Sequence, residues 1–373
     1  MMDPSNLVPS PVVGDIIAAH KSGKEISTRD AIVLSRARGD DCRAILTYAN
    51  ELCQAVHGKR VSFVVNRNIN FTNVCTIQCK FCAFSVPPGD PRSYLLSHDA
   101  IARKVAEAKA SRCTEVCIQG GIHPGIDLDY YLGILRTVKE LAPEIHIHAF
   151  SPQEIYAMHQ RSSMPLQALL KMLKQAGLGS IPGTAAEILV DSVRRELCPD
   201  KITTAQWRTI IQAAHEQGIP TTSTIMFGSI DGWEERCAHL NEIRNIQRKT
   251  RGFTEFVPLA FIRPSNVFWN GKMDAALTEE DILKFYAVSR LFFHDTIHNV
   301  QTSWVKLGTR LAQASLECGV NDFGGTLMEE NISKSAGASH GEFLAPDKIK
   351  EIIRAADRIP VQRTTTYETL QVF

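Results

Sequence analysis

Three cysteines, Cys75, Cys79 and Cys82, form a C-x3-C-x2-C run in the first quarter of the chain. Three thiolates at this spacing can bind three irons of a four-iron, four-sulfur cluster and leave the fourth iron without a protein ligand. Clusters that only carry electrons are normally held by four cysteines, which complete the coordination of every iron. The run therefore predicts a cluster that is open to a small molecule at one iron, and so a catalytic site.

Zinc and disulfides are the alternative explanations of these cysteines. A zinc site would need a fourth ligand, and no Cys or His follows at a familiar spacing. Disulfide frameworks are typical of short secreted chains, whereas this chain has 373 residues and its start, Met1–Asn6, lacks the basic segment of a signal peptide. We interpret the other seven cysteines as small core residues: Cys42, Cys53, Cys113, Cys117, Cys198, Cys237 and Cys318.

The overall charge gives no sign of a polyanionic partner. A formal net charge of +1 and a pI of about 7.6 favour neither nucleic acid nor an anionic membrane as a partner. No apolar stretch reaches the 18 or more residues of a membrane span. We therefore predict a cytoplasmic protein, a setting that an oxygen-sensitive cluster also requires.

The elements that must position the cysteines follow from the pattern of apolar residues. Residues 1–60 predict a helical extension, in which Ser27 and Asp30 form a capping box and a helix spans Asp41–Val56. Residues 61–345 alternate β-rich and helical segments, and residues 346–373 predict a tail of one helix and a β-prone segment that packs on the preceding domain. The predicted strands are Asn68–Asn73, Glu115–Gln119, Ile145–Ala149, Leu178–Ile181, Thr221–Met226, Glu255–Val257, Asn299–Gln301 and Val320–Asp322.

Eight such units predict an α/β fold of the parallel (β/α)8 barrel type. The competing doubly wound sheet usually has a G-x-G-x-x-G motif after its first strand, and that motif is absent here. Barrel enzymes place their chemistry on loops that follow the carboxyl ends of the strands. The cysteine run directly follows the first predicted strand, so the motif and the fold agree.

Cofactor contacts are predicted at the ends of three further strands. Gly120 and Gly121 would let the backbone approach a ligand closely, although a tight turn would look the same. Glu187 is a lone carboxylate among small residues and suits hydroxyl or ammonium groups, although a solvated helix start is the alternative. Ser223 lies in a strand whose end could line an adenine pocket.

Substrate contacts are predicted in the third strand and after the last one. His146 and His148 share one face of a strand, which leaves open a metal pair of the amidohydrolase kind. We select His148, nearer the carboxyl end, as a substrate contact. The segment 321–332 is rich in hydrogen-bonding groups and suits a hydrophilic substrate, and its selected residues are Asp322, Thr326, Glu329 and Asn331.

These motifs together resemble the deazaflavin and menaquinone branch of the radical S-adenosylmethionine (SAM) enzymes, and most closely its FO synthase subunit 2 members. The resemblance runs from about Asn66 to the C-terminus. It is carried by Cys75–Phe84, Gln119–Pro124, His146–Pro152, Gly183–Glu187 and Asp322–Ile332. Many radical SAM proteins have Gly-Gly-Glu at the second of these motifs, whereas this chain has Ile122 in place of the acid.

The resemblance implies a cofactor pair, a reaction and partners. It implies a 4Fe-4S cluster bound by the three cysteines, SAM as the source of a 5'-deoxyadenosyl radical, and an external electron donor. The implied substrates are L-tyrosine, cleaved at Cα–Cβ, and 5-amino-6-(D-ribitylamino)uracil, which receives the 4-hydroxybenzyl group at C5. FO synthase subunit 1 is the implied functional partner.

Two alternatives to this reaction remain at this point. An aminofutalosine synthase would instead add the adenosyl radical to an enolpyruvyl ether and keep the adenosyl group in its product. A non-catalytic iron-sulfur protein would pass electrons without cleaving SAM, but the missing fourth cysteine argues against it.

Overall fold

The N-terminal part of the chain is helical. The computed structural model describes residues 9–77, 79–262 and 277–373, so Gln78 of the cysteine run and the Met1–Asn6 start lie outside the described residues. The extension contains α1 (Pro11–Lys21), α2 (Thr28–Ser35) and α3 (Gly39–His57). The capping box predicted from Ser27 and Asp30 is confirmed at the start of α2.

Parallel strands form the centre of the molecule. They are β1 (Arg60–Val64), β2 (Asn66–Asn70), β3 (Glu115–Gln119), β4 (His146–Ala149), β5 (Thr221–Phe227), β6 (Phe253–Ala260) and β7 (Asp322–Gly325). Strands β1 and β2 are separated only by Val65 and act as one bent strand. Its first half pairs with β7 and its second half with β3, so the sheet closes on itself.

Two positions of the ring are occupied by isolated parallel bridges. His148 pairs with Ser180 and Ile181 with Thr221, which connects β4 to β5. Val300 and Gln301 similarly connect β6 to β7. The strand predicted at Leu178–Ile181 is therefore reduced to two bridging residues, because Pro182 has no N–H to continue the ladder.

Helices surround the ring and bury their apolar faces against it. They are α4 (His98–Ala110), α5 (Leu128–Leu141), α6 (Pro152–Ser162), α7 (Leu166–Gln175), α8 (Asp191–Leu197), α9 (Thr204–Glu216), α10 (Trp233–Thr250), α11 (Glu279–Phe293), α12 (Trp304–Ser315) and α13 (Asn331–Ser335). Among the helices that the structure describes, none has the length and apolar character needed to cross a bilayer.

The tail is built into the barrel. It contains α14 (Pro346–Ala355), β8 (Ile359–Arg363) and β9 (Thr369–Val372). Strand β8 pairs in parallel with β1, and β9 folds back on it in an antiparallel hairpin. Because β1 is the half of the bent strand that lies farther from the cysteine run, the tail meets the barrel at the end opposite the cysteines.

Candidate active site

A cavity of about 420 Å³ lies inside the ring and opens at the carboxyl ends of the strands. All three cysteines of the run line its wall. The other predicted site residues that line it are Gly120, Gly121, His148 and Glu187. The barrel therefore brings together seven of the residues selected from the sequence, which lie as far as 112 positions apart in the chain (Cys75 to Glu187).

The cysteines lie on a long loop after β2, which we call the cysteine loop (residues 71–86). Backbone hydrogen bonds hold it: the Cys75 amide donates to the Val86 carbonyl at 3.0 Å, and the Thr76 amide donates to the Ile122 carbonyl at 3.0 Å. The thiols are free and partly exposed. Burial raises the pKa of the Cys75 thiol, so binding a metal at this thiol would displace a proton.

Cys198 lies beside the cysteine loop. Its thiol forms a hydrogen bond with Cys79, and this contact is the main reason why the pKa of Cys79 is raised. The interpretation of the scattered cysteines as core residues is therefore incomplete, because Cys198 is buried but touches a predicted ligand. Cys117, moreover, lines the cavity and is only partly buried.

The paired glycines are required by packing. A Cβ at Gly121 would lie 2.2 Å from the Val74 carbonyl oxygen, and one at Gly120 would lie 2.5 Å from the Phe71 ring. The Gly121 amide is already used, since it donates to Thr72 at 3.0 Å. The glycines thus allow β3 to approach the cysteine loop, and their contact with SAM stays a prediction.

Glu154, at the start of α6, supplies an acid that the sequence analysis missed. Its carboxylate accepts hydrogen bonds from the Gly120 amide at 3.0 Å and from the Ser151 amide and hydroxyl, both at 2.6 Å. It lines the cavity and is only 1% exposed. Burial raises the pKa of Glu154 to about 7. An acid therefore lies beside the glycine pair although Ile122 replaces the one in the usual motif.

Glu187 forms an ion pair with Lys201. The two charged groups are 2.5 Å apart, and both side chains are mostly buried at the cavity wall. Burial alone would lower the pKa of Lys201, but Cys79 and Glu187 together raise it. The ammonium of Lys201 also lies 5.5 Å from the centre of the Phe81 ring, inside the cysteine run. A fixed positive charge therefore stands beside the thiols and favours their ionised form.

Ser223 faces away from the cavity. Its hydroxyl donates to the Glu255 carbonyl at 2.7 Å, whereas its neighbours Thr222 and Thr224 line the cavity. The Thr224 hydroxyl donates to the Gly183 carbonyl at 2.8 Å and holds the Glu187 loop against β5. Because side chains alternate along a strand, selecting Ser223 chose the wrong face of β5.

The two strand histidines share one partner. His146 Nε2 and His148 Nδ1 lie 2.7 and 2.6 Å from the Ser180 hydroxyl oxygen. Burial lowers the pKa of His148 to about 4, so its imidazole is neutral at physiological pH. The hydrogen bonds to Ser180 account for the two histidines as structural residues, without a bound metal. His148 itself lines the cavity.

A buried ionic network, which we call the barrel floor, closes the opposite end of the cavity. Arg363 from the tail bonds Asp322 through two nitrogens, at 2.5 and 3.1 Å, and Glu255 at 3.3 Å. Tyr367 also donates to Glu255. Burial raises the pKa of Glu255 to about 8, so this carboxyl is mostly protonated at neutral pH. Asp322 was selected as a substrate contact, but it is fully buried and its carboxylate is bonded to Arg363.

The remaining selected residues lie along the segment after β7. The Thr326 hydroxyl donates a hydrogen bond to the Asn66 carbonyl at 2.7 Å, so it is already engaged. Glu329 pairs with Lys104 at 2.7 Å and lines a second pocket together with Asn331. Glu330, which lies between Glu329 and Asn331 in the sequence, lines the main cavity and is 8% exposed. The selected loop thus serves two pockets.

The donor set fits an iron-sulfur cluster and a chelating cofactor. Three free thiols face one cavity, beside the Lys201 ammonium and opposite further polar groups. Among the described residues, no three His, Cys, Asp or Glu side chains are placed to hold a single metal ion together. A four-iron cluster does not require that arrangement, because each thiolate binds a different iron.

Several cavity residues had only weak signals in the sequence. Glu154 belongs to a Ser-x-x-Glu capping box, which marks a helix start and not a site. Lys201 and Lys306 stand among ordinary helix and loop residues, and Arg363 lies in the tail. These residues become recognisable only when the ring places them around one volume.

Comparisons with known proteins agree with this geometry. The radical SAM superfamily model matches residues 69–243, and a model described as the CofH/MqnC C-terminal region matches residues 250–373. HydG, a maturase of the FeFe-hydrogenase, aligns over 98% of this chain and 79% of its own with a TM-score of 0.76 and 16% identity. Methylornithine synthase (PylB) covers 93% of this chain and 95% of its own, with a TM-score of 0.68 and 17% identity. These likenesses confirm the predicted barrel.

Sequence relatives narrow the family. A protein of Methanothermobacter thermautotrophicus named 5-amino-6-(D-ribitylamino)uracil–L-tyrosine 4-hydroxyphenyl transferase is 47% identical over 93% of this chain and 95% of its own length. Proteins of the same name from Archaeoglobus fulgidus and Methanocaldococcus jannaschii are 51% and 47% identical, over 86% and 93% of this chain and 92% and 98% of their own. The chain therefore belongs to the radical SAM superfamily and, within it, to the family of these 4-hydroxyphenyl transferases.

Proposed function

We propose that this protein transfers the 4-hydroxybenzyl group of L-tyrosine to 5-amino-6-(D-ribitylamino)uracil in deazaflavin biosynthesis. The observation that carries the proposal is identity of 47% to a transferase of that name over almost the full length of both chains. The two family models, which match residues 69–243 and 250–373, cover most of the barrel and the tail.

The cluster ligands in this proposal are Cys75, Cys79 and Cys82. They lie on one loop and face the cavity, and Lys201 places a positive charge beside Cys79. When bound, the cluster and SAM supply a carbon-centred radical that can abstract hydrogen from a substrate. Glu154 accepts a hydrogen bond from the Gly120 amide and thereby holds the end of β3 to the start of α6.

The cavity walls protect reactive species from water. The cysteine loop and the segment around Glu330 line the cavity near the carboxyl ends of the strands, while Arg363, Asp322 and Glu255 close the floor. A hydrogen atom of tyrosine would pass to the 5'-deoxyadenosyl radical to give 5'-deoxyadenosine, and the Cα–Cβ bond would break to leave a glycine-imine fragment and a 4-hydroxybenzyl radical. That radical would join C5 of the aminouracil in this cavity, and the adduct would then return one electron to the cluster and lose a proton. Exclusion of water and of stray hydrogen donors is what such a fragment needs in order to reach its acceptor.

The partners belong to the same proposal. Reductive cleavage of SAM consumes one electron, so an external one-electron donor is required. The expected consumer of the product is FO synthase subunit 1, the partner that the family resemblance implies. The Glu187 carboxylate and the predicted glycine contacts remain our candidates for holding SAM.

Product analysis tests the reaction. The anaerobically reconstituted and reduced protein is incubated with SAM, aminouracil and tyrosine labelled at Cβ. We expect free 5'-deoxyadenosine and an adduct that carries the label on the benzylic carbon. An adenosylated product formed from an enolpyruvyl ether would instead support an aminofutalosine synthase, and no SAM cleavage with any substrate would support an electron carrier.

A further inference from the structure

We propose that the second pocket, beside the main cavity at the carboxyl end of β2, binds the polyhydroxylated ribityl chain of the aminouracil. This inference rests on the proposed function and adds to it a location for one end of one substrate. The pocket has a volume of about 340 Å³ and adjoins the main cavity, because Asn68 and Phe84 line both. A ligand with its ring in the main cavity can therefore direct a chain into this pocket.

Three asparagines at alternate positions of β2 share one face of the strand. Asn66 is fully engaged: its amide nitrogen donates to Glu115 at 2.9 Å and its oxygen accepts from the Leu327 amide at 2.9 Å. Asn68 and Asn70, closer to the cysteine loop, line the second pocket. Their side-chain oxygens are buried and have no hydrogen-bond donor among the described residues.

The orientation of the Asn70 amide is set by its other atom. Its nitrogen donates to the Gln119 carbonyl at 3.3 Å, which leaves the oxygen as the unsatisfied group. Asn70 is 6% exposed, so bulk water does not compensate. A buried acceptor without a donor is costly, and such groups in native proteins usually meet a ligand or a bound water. Two such acceptors on one strand indicate a ligand that donates hydrogen bonds at successive positions.

The charges around the pocket are already balanced. Glu329 lies between Lys104, at 2.7 Å, and Arg67, and Arg67 also pairs with Glu107 at 2.8 Å. Within the described part of the chain, these two cations and two carboxylates leave no net charge for an anionic or cationic ligand to neutralise. A chain of hydroxyl groups matches this setting, because each hydroxyl both donates and accepts and none carries a charge.

Binding measurements on the reconstituted protein with SAM test the assignment. Dissociation constants are compared for 5-amino-6-(D-ribitylamino)uracil and for 5,6-diaminouracil, which has the same ring without the chain. We expect Asn70→Ala to weaken binding of the ribityl compound about three- to tenfold, the size of one or two lost hydrogen bonds, and that of diaminouracil less than about twofold. Asn245→Ala, on the exposed face of α10, is the matched control and should change neither constant.

A second variant keeps the buried amides in place. Ser335 is exposed at the edge of the pocket, and Ser335→Phe should narrow the pocket and lower the preference for the ribityl compound in the same direction. An unchanged preference in Ser335→Phe, or equal weakening of both ligands in both variants, overturns the assignment. Failure of the wild-type protein to bind either uracil would instead overturn the proposed function.

Discussion

The cysteine loop and the barrel floor are opposite ends of one cavity, and they are built on different principles. The loop carries three thiols that are partly exposed and held in place by backbone hydrogen bonds, so they are available to a ligand. The floor consists of buried polar groups that satisfy one another: Arg363 compensates the charge of Asp322 and also donates a hydrogen bond to Glu255. The thiols are thus left available for a ligand, whereas the polar groups of the floor already bond one another.

The difference also concerns distance in sequence. The thiols lie within eight consecutive residues, whereas the floor joins β6, β7 and the tail across 108 positions (Glu255 to Arg363). A short motif can be recognised without knowing the fold. A network across strands exists only once the ring has closed and the tail has docked.

Removing a thiol should give the largest effect. Cys82→Ala leaves two ligands for a cluster that needs three, so we expect loss of bound iron and of all SAM cleavage with the fold retained. Iron content, visible absorption and circular dichroism are the measurements. Cys42→Ala, which removes a buried cysteine of α3, is the control and should retain the cluster. A Cys82→Ala protein that still cleaves SAM would refute the assignment of the ligands.

Breaking the floor should mainly affect stability. Arg363→Met leaves the buried Asp322 carboxylate without its cation and Glu255 without one of its hydrogen-bond donors, and losing one partner of a buried pair costs about 3–5 kcal/mol. Urea denaturation measures the change. Arg310→Met, which removes an exposed arginine paired with Glu279, should leave the free energy of unfolding unchanged within error. An equally small effect of Arg363→Met would mean that the floor is not a stabilising closure.

The two ends of the cavity should also differ in how they make the free energy of unfolding depend on pH. The pKa of Glu255 is raised from about 4.5 to about 8, so the native protein keeps a proton that the unfolded chain has released between these values. The contribution of Glu255 to the free energy of unfolding should therefore be fully present below pH 4.5. It should fall as the pH rises to 8, by up to about 1.4 kcal/mol per pH unit.

Two glutamine variants show which carboxyl group causes the pH dependence of the unfolding free energy. Glu255→Gln should flatten the dependence of unfolding free energy on pH up to about pH 8, whereas Glu154→Gln should flatten it only up to about pH 7, where Glu154 itself titrates. Denaturation series at several pH values measure both. Identical profiles for the two variants would contradict the difference between the two ends of the cavity.

The smallest effect is expected from Ser223→Ala. The change removes one buried hydrogen bond to the Glu255 carbonyl and should cost about 1 kcal/mol of stability. The KM for SAM should not change, because the side chain faces away from the cavity. A raised KM at normal stability would show that Ser223 contacts the cofactor after all.

Local patterns were sufficient for much of the architecture. The Ser27–Asp30 capping box and the barrel of eight strand positions followed from spacing and periodicity, because both depend on neighbours a few residues apart. Two strand positions are reduced to pairs of isolated bridges, and Ser223 was selected on the wrong face of β5. A pattern of small hydroxyl and apolar residues does not indicate which side of a strand faces the barrel interior.

The sequence by itself determined that three thiols would stand together after the first strand, because C-x3-C-x2-C spacing is a property of one short loop. Only the tertiary structure decided what surrounds them: Glu154 beside the glycines, Lys201 beside Cys79, and Arg363 at the floor. These contacts join residues that are 30 or more positions apart. Their positions depend on how the ring closes, and ring closure is a property of all the strands together.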